Sequence, residues 1–180
     1  HAFEPDPESF SELKKHKNNK TFINNVAVHS TNDHMKFYKN KISHTNSLYP
    51  VNANSKDSIT LTNARKEKRI DNIKNEYNRE IKVDTITLEN YINSFSVQHI
   101  DILKIDTQGN EDNVLLGLRT KLEIIDLIIT ELVFYDYYTK KLSFYEIEKI
   151  ITPFNFELYD ISDISKNPMN GRTDWVDIIY

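Results

Sequence analysis

The sequence contains no cysteine, little glycine and no long apolar run, and each of these absences excludes a class of protein. Without cysteine there are no disulfides, no thiolate metal sites and no cysteine nucleophile. The three glycines, Gly109, Gly117 and Gly171, are too widely spaced to form a glycine-rich phosphate-binding loop. No apolar run approaches the roughly 20 residues that a membrane-spanning helix requires, so no membrane span is expected.

The residues that are present have the composition of a globular domain with a slightly acidic surface. The chain has 180 residues, 38% of them hydrophobic, and its formal net charge is -4. This length suffices for one domain with a hydrophobic core, over residues 1–180. A negative net charge provides no basic surface for nucleic acid, which is therefore not expected as a partner. We expect a cytoplasmic location.

Apolar segments rich in β-branched residues alternate with segments of helical character. Strands are predicted at 100–106, 124–132, 154–159 and 175–180, and helices at about 110–121 and 143–151. This alternation predicts an α/β fold of three layers, built on a Rossmann-like sheet that is mostly parallel. The last two strands follow one another without a helix, which predicts an antiparallel hairpin at the carboxyl-terminal edge.

The first half of the chain contains shorter patterns. Residues 1–5 are typical of the end of a strand, and Pro7 predicts the first turn of a helix that continues to Lys15. Further strands are predicted at 22–29, 35–38, 59–62 and 81–86. Residues 65–80 are heavily charged, and we interpret them as a surface insertion.

Three of the predicted strands meet a carboxylate at their carboxyl ends: Glu4, Asp106 and Glu131. In open α/β sheets, ligands bind at this edge. A carboxylate there is suited to a ribose, because it accepts hydrogen bonds from both hydroxyls of the diol. One polar residue at a strand end commonly marks only where the strand reaches solvent. Three carboxylates at equivalent positions favour a binding site.

Two other groups of residues suggest chemistry less clearly. His29, His34 and His44 match no compact helical or hairpin arrangement, so no metal site is expected. The aromatic run 134–138 follows the strand that ends near Glu131. It either stacks on a sugar or aromatic ligand, or packs against the next helix, and both interpretations stay open.

Five segments suggest a family by their order. They read HAFEPDP at 1–7, NVAV at 25–28, VDTITLENY at 83–91, LKIDTQGNE at 103–111 and DWVDIIY at 174–180. In this order they resemble the FkbM-type methyltransferases, over essentially all of the chain except 65–80. The resemblance implies a class I methyltransferase fold that binds S-adenosylmethionine and methylates a hydroxyl oxygen. The implied acceptor is a small metabolite or a glycan.

The same resemblance implies roles for individual residues. Glu4 would hold the ribose of the cofactor, and Asp106 would lie at its methionine end, beside the acceptor. Gln108 stands where the family has an acid, and its amide is still able to form hydrogen bonds. The full set of implied cofactor-binding residues is Glu4, Pro5, Asp6, Asn25, Val26, Ala27, Asp106 and Gln108.

Methyl transfer demands mainly alignment of the reacting atoms, because the methyl group of the cofactor is already activated. A general base assists when the acceptor is an alcohol. The candidates for this base are Asp106, Glu131 and His29, and the position of Asp106 makes it the first choice.

The resemblance also implies a first strand and a glycine-rich loop that hold the methionine part of the cofactor. We expect this segment before His1, which makes the fold incomplete at its amino terminus as it stands. One alternative is an inactive methyltransferase-like domain that serves as a scaffold. Another is a sugar-nucleotide enzyme on a related sheet.

Overall fold

The computed structural model describes residues 1–55, 77–168 and 170–180. Its strands are β1 (Ala2–Phe3), β2 (Ile23–Asn24), β3 (Ala27–Val28), β4 (Asp33–Lys39), β5 (Arg79–Ile86), β6 (Ile100–Ile105), β7 (Ile125–Val133), β8 (Asp160–Lys166) and β9 (Thr173–Ile179). Its α-helices are α1 (Pro7–Lys14), α2 (Leu88–Ser94), α3 (Glu111–Leu116) and α4 (Phe144–Ile151). Three 3-10 helices span Ser43–Thr45, Arg119–Ile124 and Thr152–Phe154. The predicted strand at 59–62 and most of the predicted insertion at 65–80 lie outside the described residues.

The strands form mixed sheets in an α/β protein. One sheet has the order β6-β7-β9-β8, a second has the order β3-β5-β4, and β1 pairs with β2. The pairs β1–β2, β3–β5 and β6–β7 are parallel, whereas β4–β5, β7–β9 and β8–β9 are antiparallel. The prediction of a mostly parallel sheet is therefore wrong. The chain reverses direction between β3 and β4 within residues 29–32, which are too few for the crossover that parallel strands need.

The carboxyl-terminal hairpin is confirmed as antiparallel, but its first strand was predicted in the wrong place. Strand β8 begins at Asp160, not at residue 154, and pairs with β9 from Asp160 opposite Ile179. Residues 152–154 form a 3-10 helix that ends at Asn155, whose φ of 66° is left-handed. Strand β8 lies at the edge of its sheet and is mostly exposed, so its sequence lacks the apolar pattern of a buried strand.

The predicted strand at 22–29 is divided into β2 and β3, which belong to different sheets. The helix in the region predicted at 110–121 is shorter than predicted, and α3 ends at Leu116. A Cβ atom at Gly117 would lie 2.4 Å from the carbonyl oxygen of His29, so only glycine permits this close approach. The contact holds the end of α3 against the residue that follows β3.

Other helix boundaries agree with the sequence. Pro7 opens α1, and the side chain of Thr87 accepts a hydrogen bond from the backbone NH of Asn90 at the start of α2. Ser143 and Glu146 form a reciprocal capping box at the start of α4. None of the helices within the described residues is long and apolar enough to cross a membrane.

The main hydrophobic core packs α3 and α4 against β6, β7 and β9. Its least exposed side chains include Ile105, Leu115, Ile128, Ile147 and Ile178, all at 2% exposure or less. Full burial of such a side chain contributes about 1.5–3 kcal/mol. This core fixes the positions at which β6 and β7 end, and therefore the positions of the polar residues that follow them.

Candidate active site

Two neighbouring cavities open at the carboxyl ends of the parallel strands. The first, of about 160 Å³, is lined by Phe3, Glu4, Pro5, Val26, Ala27, Val28, Phe37, Ser43, His44, Asn46, Leu48, Asp106, Thr107, Gln108 and Asn110. The second, of about 310 Å³, is lined by His44, Thr45, Asp106, Gln108, Glu131, Val133, Tyr135, Tyr137, Tyr138 and Trp175. We call them the strand-end cavity and the aromatic cavity.

Three residues line both cavities: His44, Asp106 and Gln108. Asp106 directly follows β6, and Gln108 lies in the loop between β6 and α3, whereas His44 comes from the 3-10 helix at Ser43–Thr45. A group bound in one cavity and a group bound in the other would therefore both lie beside these side chains.

Glu4 provides the carboxylate of the strand-end cavity. Its Oε1 accepts a hydrogen bond of 2.8 Å from the backbone NH of Asp6. The side chain of Glu4 is partly buried, and this burial raises its pKa. The hydrogen bond from the backbone NH of Asp6 lowers the pKa and so opposes the shift. Asn25 supports the same turn, because its amide donates to the backbone oxygens of Glu4 at 2.9 Å and of Pro5 at 3.1 Å.

Asp6 has a different environment from Glu4. It is 2% exposed, and its Oδ1 lies 2.8 Å from the ammonium of Lys39. The same carboxylate caps α1 by accepting from the backbone NH of Glu8 at 3.2 Å, and it accepts from the amide of Asn46 at 3.1 Å. With these partners Asp6 anchors α1 to β4, and it does not line the strand-end cavity.

The loop from Thr107 to Asn110 turns sharply between β6 and α3. Gln108 and Gly109 both have left-handed backbone conformations, with φ of 57° and 97°. The buried carboxylate of Glu111 closes the loop by accepting from the backbone NH groups of Thr107 and Gly109, each at 3.0 Å. Burial raises the pKa of Glu111, and these hydrogen bonds oppose the shift. The loop is thus held from its inner side, and the side chain of Gln108 points to the cavities.

Gln108 joins two carboxylates, that of Asp106 directly after β6 and that of Glu131 within β7. Its Nε2 donates to Oδ1 of Asp106 at 2.7 Å and to Oε2 of Glu131 at 2.8 Å. Its Oε1 accepts from the hydroxyl of Tyr138 at 2.8 Å. The sequence placed Asp106 and Glu131 at the same sheet edge, and the structure brings them together through this amide.

Glu131 has a strongly perturbed carboxyl group. Burial raises its pKa to about 8, with further contributions from the negative charges of Asp106, Glu111 and Asp177. Lys104 acts in the opposite direction. A carboxyl group with a pKa near neutrality is characteristic of residues that exchange protons during catalysis.

Aromatic side chains form much of the wall around Glu131. Tyr135 and Tyr137 meet edge to face with ring centroids 5.7 Å apart, and both line the aromatic cavity with Trp175. Burial raises the pKa of the Tyr138 hydroxyl, so it stays protonated and acts as a hydrogen-bond donor. Phe134, in contrast, packs against Phe144 of α4 at 6.1 Å. Part of the aromatic run therefore packs against the next helix and part lines a cavity, and stacking on a ligand stays a prediction.

Some of the remaining predicted site residues line a cavity and others do not. Pro5, Val26 and Ala27 line the strand-end cavity, and their role in cofactor binding stays a prediction. His29 lines neither cavity, and its Nδ1 lies 3.3 Å from the hydroxyl of Thr31. Burial is the main cause that lowers the pKa of His29.

A group of potential metal ligands lies at the opposite end of the same strands. In residues 1–55, 77–168 and 170–180, His99, Asp101 and Asp126 are the group with ligand atoms within 4.8 Å of one another. All three side chains are exposed, and they are remote in the sheet from Asp106 and Glu131.

Comparison with protein families identifies the family of the chain. The family model described as the methyltransferase FkbM domain matches residues 1–158. The chain belongs to the FkbM methyltransferase family. Membership supports methyl transfer as the general class of reaction. No curated protein and no solved structure matches the chain.

His44, Tyr138 and Trp175 line the cavities, although no sequence pattern assigned any of them an individual role there. His44 was considered only as a metal ligand, and Trp175 only as part of a strand and of a family segment. Tyr138 lies 30 residues after Gln108, and no local pattern connects them. The aromatic run around Tyr138 was the one available signal.

Proposed function

We propose that the protein is an S-adenosylmethionine-dependent O-methyltransferase. The strand-end cavity takes part of the cofactor, and the aromatic cavity takes an acceptor with a hydroxyl group. The observation that carries the proposal is the shared wall of the two cavities, formed by His44, Asp106 and Gln108. The proposal includes the three-layer class I arrangement of the sheet. The cytoplasmic location stays a prediction.

The residues of the strand-end cavity fit an adenosine group. Glu4 presents a carboxylate oxygen, Oε2, beyond the one that binds the backbone of Asp6, and a carboxylate suits a ribose diol. Val26 and Ala27 supply an apolar surface for the base. At about 160 Å³ the cavity is smaller than the roughly 300–1,000 Å³ of typical ligand sites, so it corresponds to part of a cofactor site.

A groove beside this cavity suits a further element of the sheet. It has a volume of about 410 Å³ and is lined by residues of β1 and β6, among them Phe3, Leu103 and Ile105. Ile102 of β6 is 60% exposed there, a large apolar side chain that a further element would cover. The expected upstream strand and glycine-rich loop would fit between β1 and β6, and this stays a prediction.

The aromatic cavity fits a hydroxylated ring. Its volume of about 310 Å³ lies at the lower end of the range for small-molecule sites. Tyr135, Tyr137 and Trp175 provide flat apolar surfaces, and the carboxylates of Asp106 and Glu131 accept hydrogen bonds from hydroxyl groups. A small metabolite or a sugar unit of a glycan has this combination of an apolar face and a hydroxylated edge.

The chain's own residues then divide the work of methyl transfer. S-adenosylmethionine, when bound, supplies a methyl group that is already activated for transfer. Glu131 accepts the proton of the acceptor hydroxyl, for which a pKa of about 8 is well matched. Asp106 accepts a second hydrogen bond and orients the acceptor, and the aromatic wall excludes water.

Calorimetry with S-adenosylhomocysteine on the full-length protein tests the cofactor site. Glu4→Gln is expected to weaken binding about tenfold or more, because a hydrogen bond to a charged group contributes about 1.5–3 kcal/mol. The matched control is Glu12→Gln, whose exposed carboxylate pairs with Lys15 on α1. This control is expected to bind as the wild type does.

Two results would count against the proposal. Binding that is equally tight in Glu4→Gln and the wild type would remove Glu4 from the cofactor site. No binding of either S-adenosylmethionine or S-adenosylhomocysteine to the wild type would contradict the proposed function as a whole and favour the scaffold alternative.

A further inference from the structure

We propose that Gln108 is a positioning residue, which holds Asp106 and Glu131 as a fixed pair facing the acceptor. This inference rests on the proposed function, since it assigns a role within the same site. Gln108 does not transfer a proton in this proposal. It acts through the two carboxylates that do meet the acceptor.

The geometry assigns each amide hydrogen of Gln108 to one carboxylate. The Nε2 group lies 2.7 Å from Oδ1 of Asp106 and 2.8 Å from Oε2 of Glu131, and an amide nitrogen has two hydrogens to give. The pairing leaves Oδ2 of Asp106 and Oε1 of Glu131 for a ligand in the aromatic cavity, which both residues line.

Tyr138 fixes which end of the amide faces the carboxylates. Its hydroxyl lies 2.8 Å from Oε1 of Gln108 and 3.0 Å from the backbone oxygen of Thr45. A protonated phenol has one hydrogen, which lies between these two acceptors, and in this arrangement the oxygen end of the amide faces Tyr138. The nitrogen end is thereby directed to Asp106 and Glu131.

The backbone of Gln108 is also held from two sides. The hydroxyl of Ser47, which is 1% exposed, donates to the carbonyl oxygen of Gln108 at 2.7 Å. The left-handed conformations of Gln108 and Gly109 are stabilised by the hydrogen bonds from the loop to Glu111. A side chain on so constrained a backbone is suited to hold two other groups in register.

Charge explains what an amide contributes at this position in this chain. Glu131 already faces three negative groups from neighbouring elements: Asp106 after β6, Glu111 at the start of α3 and Asp177 on β9. Lys104 of β6 supplies positive charge, and Tyr135, Tyr137, Tyr138 and His44 complete the titratable surroundings. A carboxylate in place of the amide would add a further like charge and could not donate to either partner.

Titration of the Glu131 carboxyl group in the full-length protein tests the proposal directly. The protein is labelled with ¹³C at the carboxyl carbon of glutamate, and the Glu131 signal is assigned by its loss in Glu131→Gln. The variants are Gln108→Glu, which has the same shape, and Gln108→Leu, which removes the donors without adding charge. Gln98→Glu is the matched control, because Gln98 is exposed and precedes β6 at its far end.

The pKa midpoint of Glu131 is expected to rise by about one unit or more in Gln108→Glu, a tenfold change in the ionised fraction near neutral pH. A smaller rise is expected in Gln108→Leu, and none in Gln98→Glu. Tyr138→Phe is expected to raise the midpoint in the same direction, because the amide loses the partner that orients it. A wild-type midpoint in both Gln108 variants would overturn the proposal.

The pH profile of methyl transfer gives an independent readout. In Gln108→Glu the profile is expected to move to higher pH by the same amount as the NMR midpoint, which a purely structural defect would not produce. A profile that stays in place while the NMR midpoint moves would also overturn the positioning role. If the wild type transfers no methyl group, the proposed function fails, and the titration alone still decides whether Gln108 couples the carboxylates.

Discussion

Strands β6 and β7 place two acidic residues side by side at each of their ends, and the two ends differ in burial. The register puts Asp101 beside Asp126 at the amino-terminal end, and Asp106 beside Glu131 at the carboxyl-terminal end. Asp101 and Asp126 have side chains that are 90% and 65% exposed, with His99 3.1 Å from Asp126. Glu131 is largely enclosed, and its pKa is raised to about 8.

The comparison teaches that proximity of carboxylates is not sufficient to make a reactive group. At the amino-terminal end, water solvates the acids and screens their repulsion. At the carboxyl-terminal end, the loop to α3, the 3-10 helix at Ser43–Thr45 and the aromatic run surround Glu131, whereas Asp106 stays exposed. Desolvation then disfavours the ionised form of Glu131, as the order of causes of its pKa shift indicates.

The largest expected difference between the two ends concerns catalysis. Glu131→Gln is expected to lower kcat for methyl transfer by about 10²–10⁴-fold, because a general base typically contributes this factor. Asp126→Asn makes the same chemical change at the other end and is expected to leave kcat unchanged. Methyl incorporation from labelled S-adenosylmethionine into a panel of hydroxylated acceptors provides the measurement. Equal loss in both variants would mean that the two ends do not differ in function.

The next difference concerns stability as a function of pH. The pKa of Glu131 is raised from 4.5 to about 8 by folding, so the folded protein binds an extra proton between these values and loses stability as pH rises through them. Glu131→Gln removes this loss. Relative to the wild type, the variant is expected to gain roughly 1–4 kcal/mol of unfolding free energy above about pH 8, and little at about pH 4. Urea unfolding at the two pH values measures it, and a pH-independent difference would contradict the burial of an ionisable group.

The smallest expected effect is the change in stability caused by a substitution at the exposed amino-terminal end of β6 and β7. Asp126→Asn is expected to change the unfolding free energy by no more than about 0.5 kcal/mol, since the group is solvated and its partners are exposed. The same urea series, repeated at high salt, serves as the check. A large loss that salt does not reduce would show that the His99 group holds the strands together.

Much of the site at the carboxyl ends of β6 and β7 could be predicted, because the sequence patterns that mark it are local. The apolar run into Asp106, the glycine that follows it and the second apolar run into Glu131 each occupy a few consecutive residues. The start of the helix predicted at 143–151 is equally local, and Ser143 caps it in the structure. The family segments added the order in which these local signals occur.

What escaped prediction depends on contacts between distant residues or on exposure. Strand β8 is polar because it lies at an edge, so it resembled a loop, and the apolar residues before it resembled a strand. At the early end of α3, Gly117 closely approaches His29, which lies 88 positions away in the chain. The amide bridge needs Gln108, Glu131 and Tyr138 from three segments. No pattern in one sequence reveals such a meeting.

The pH dependence of methyl transfer tests the central claim most directly. The full-length protein, with saturating S-adenosylmethionine and an acceptor that it methylates, is assayed from about pH 6 to about pH 10. The account predicts that kcat rises with a midpoint near pH 8, where Glu131 loses its proton, and that Glu131→Gln shows only a low rate without this rise. A rate that is independent of pH over this range, or a rise that persists in Glu131→Gln, would contradict Glu131 as the base.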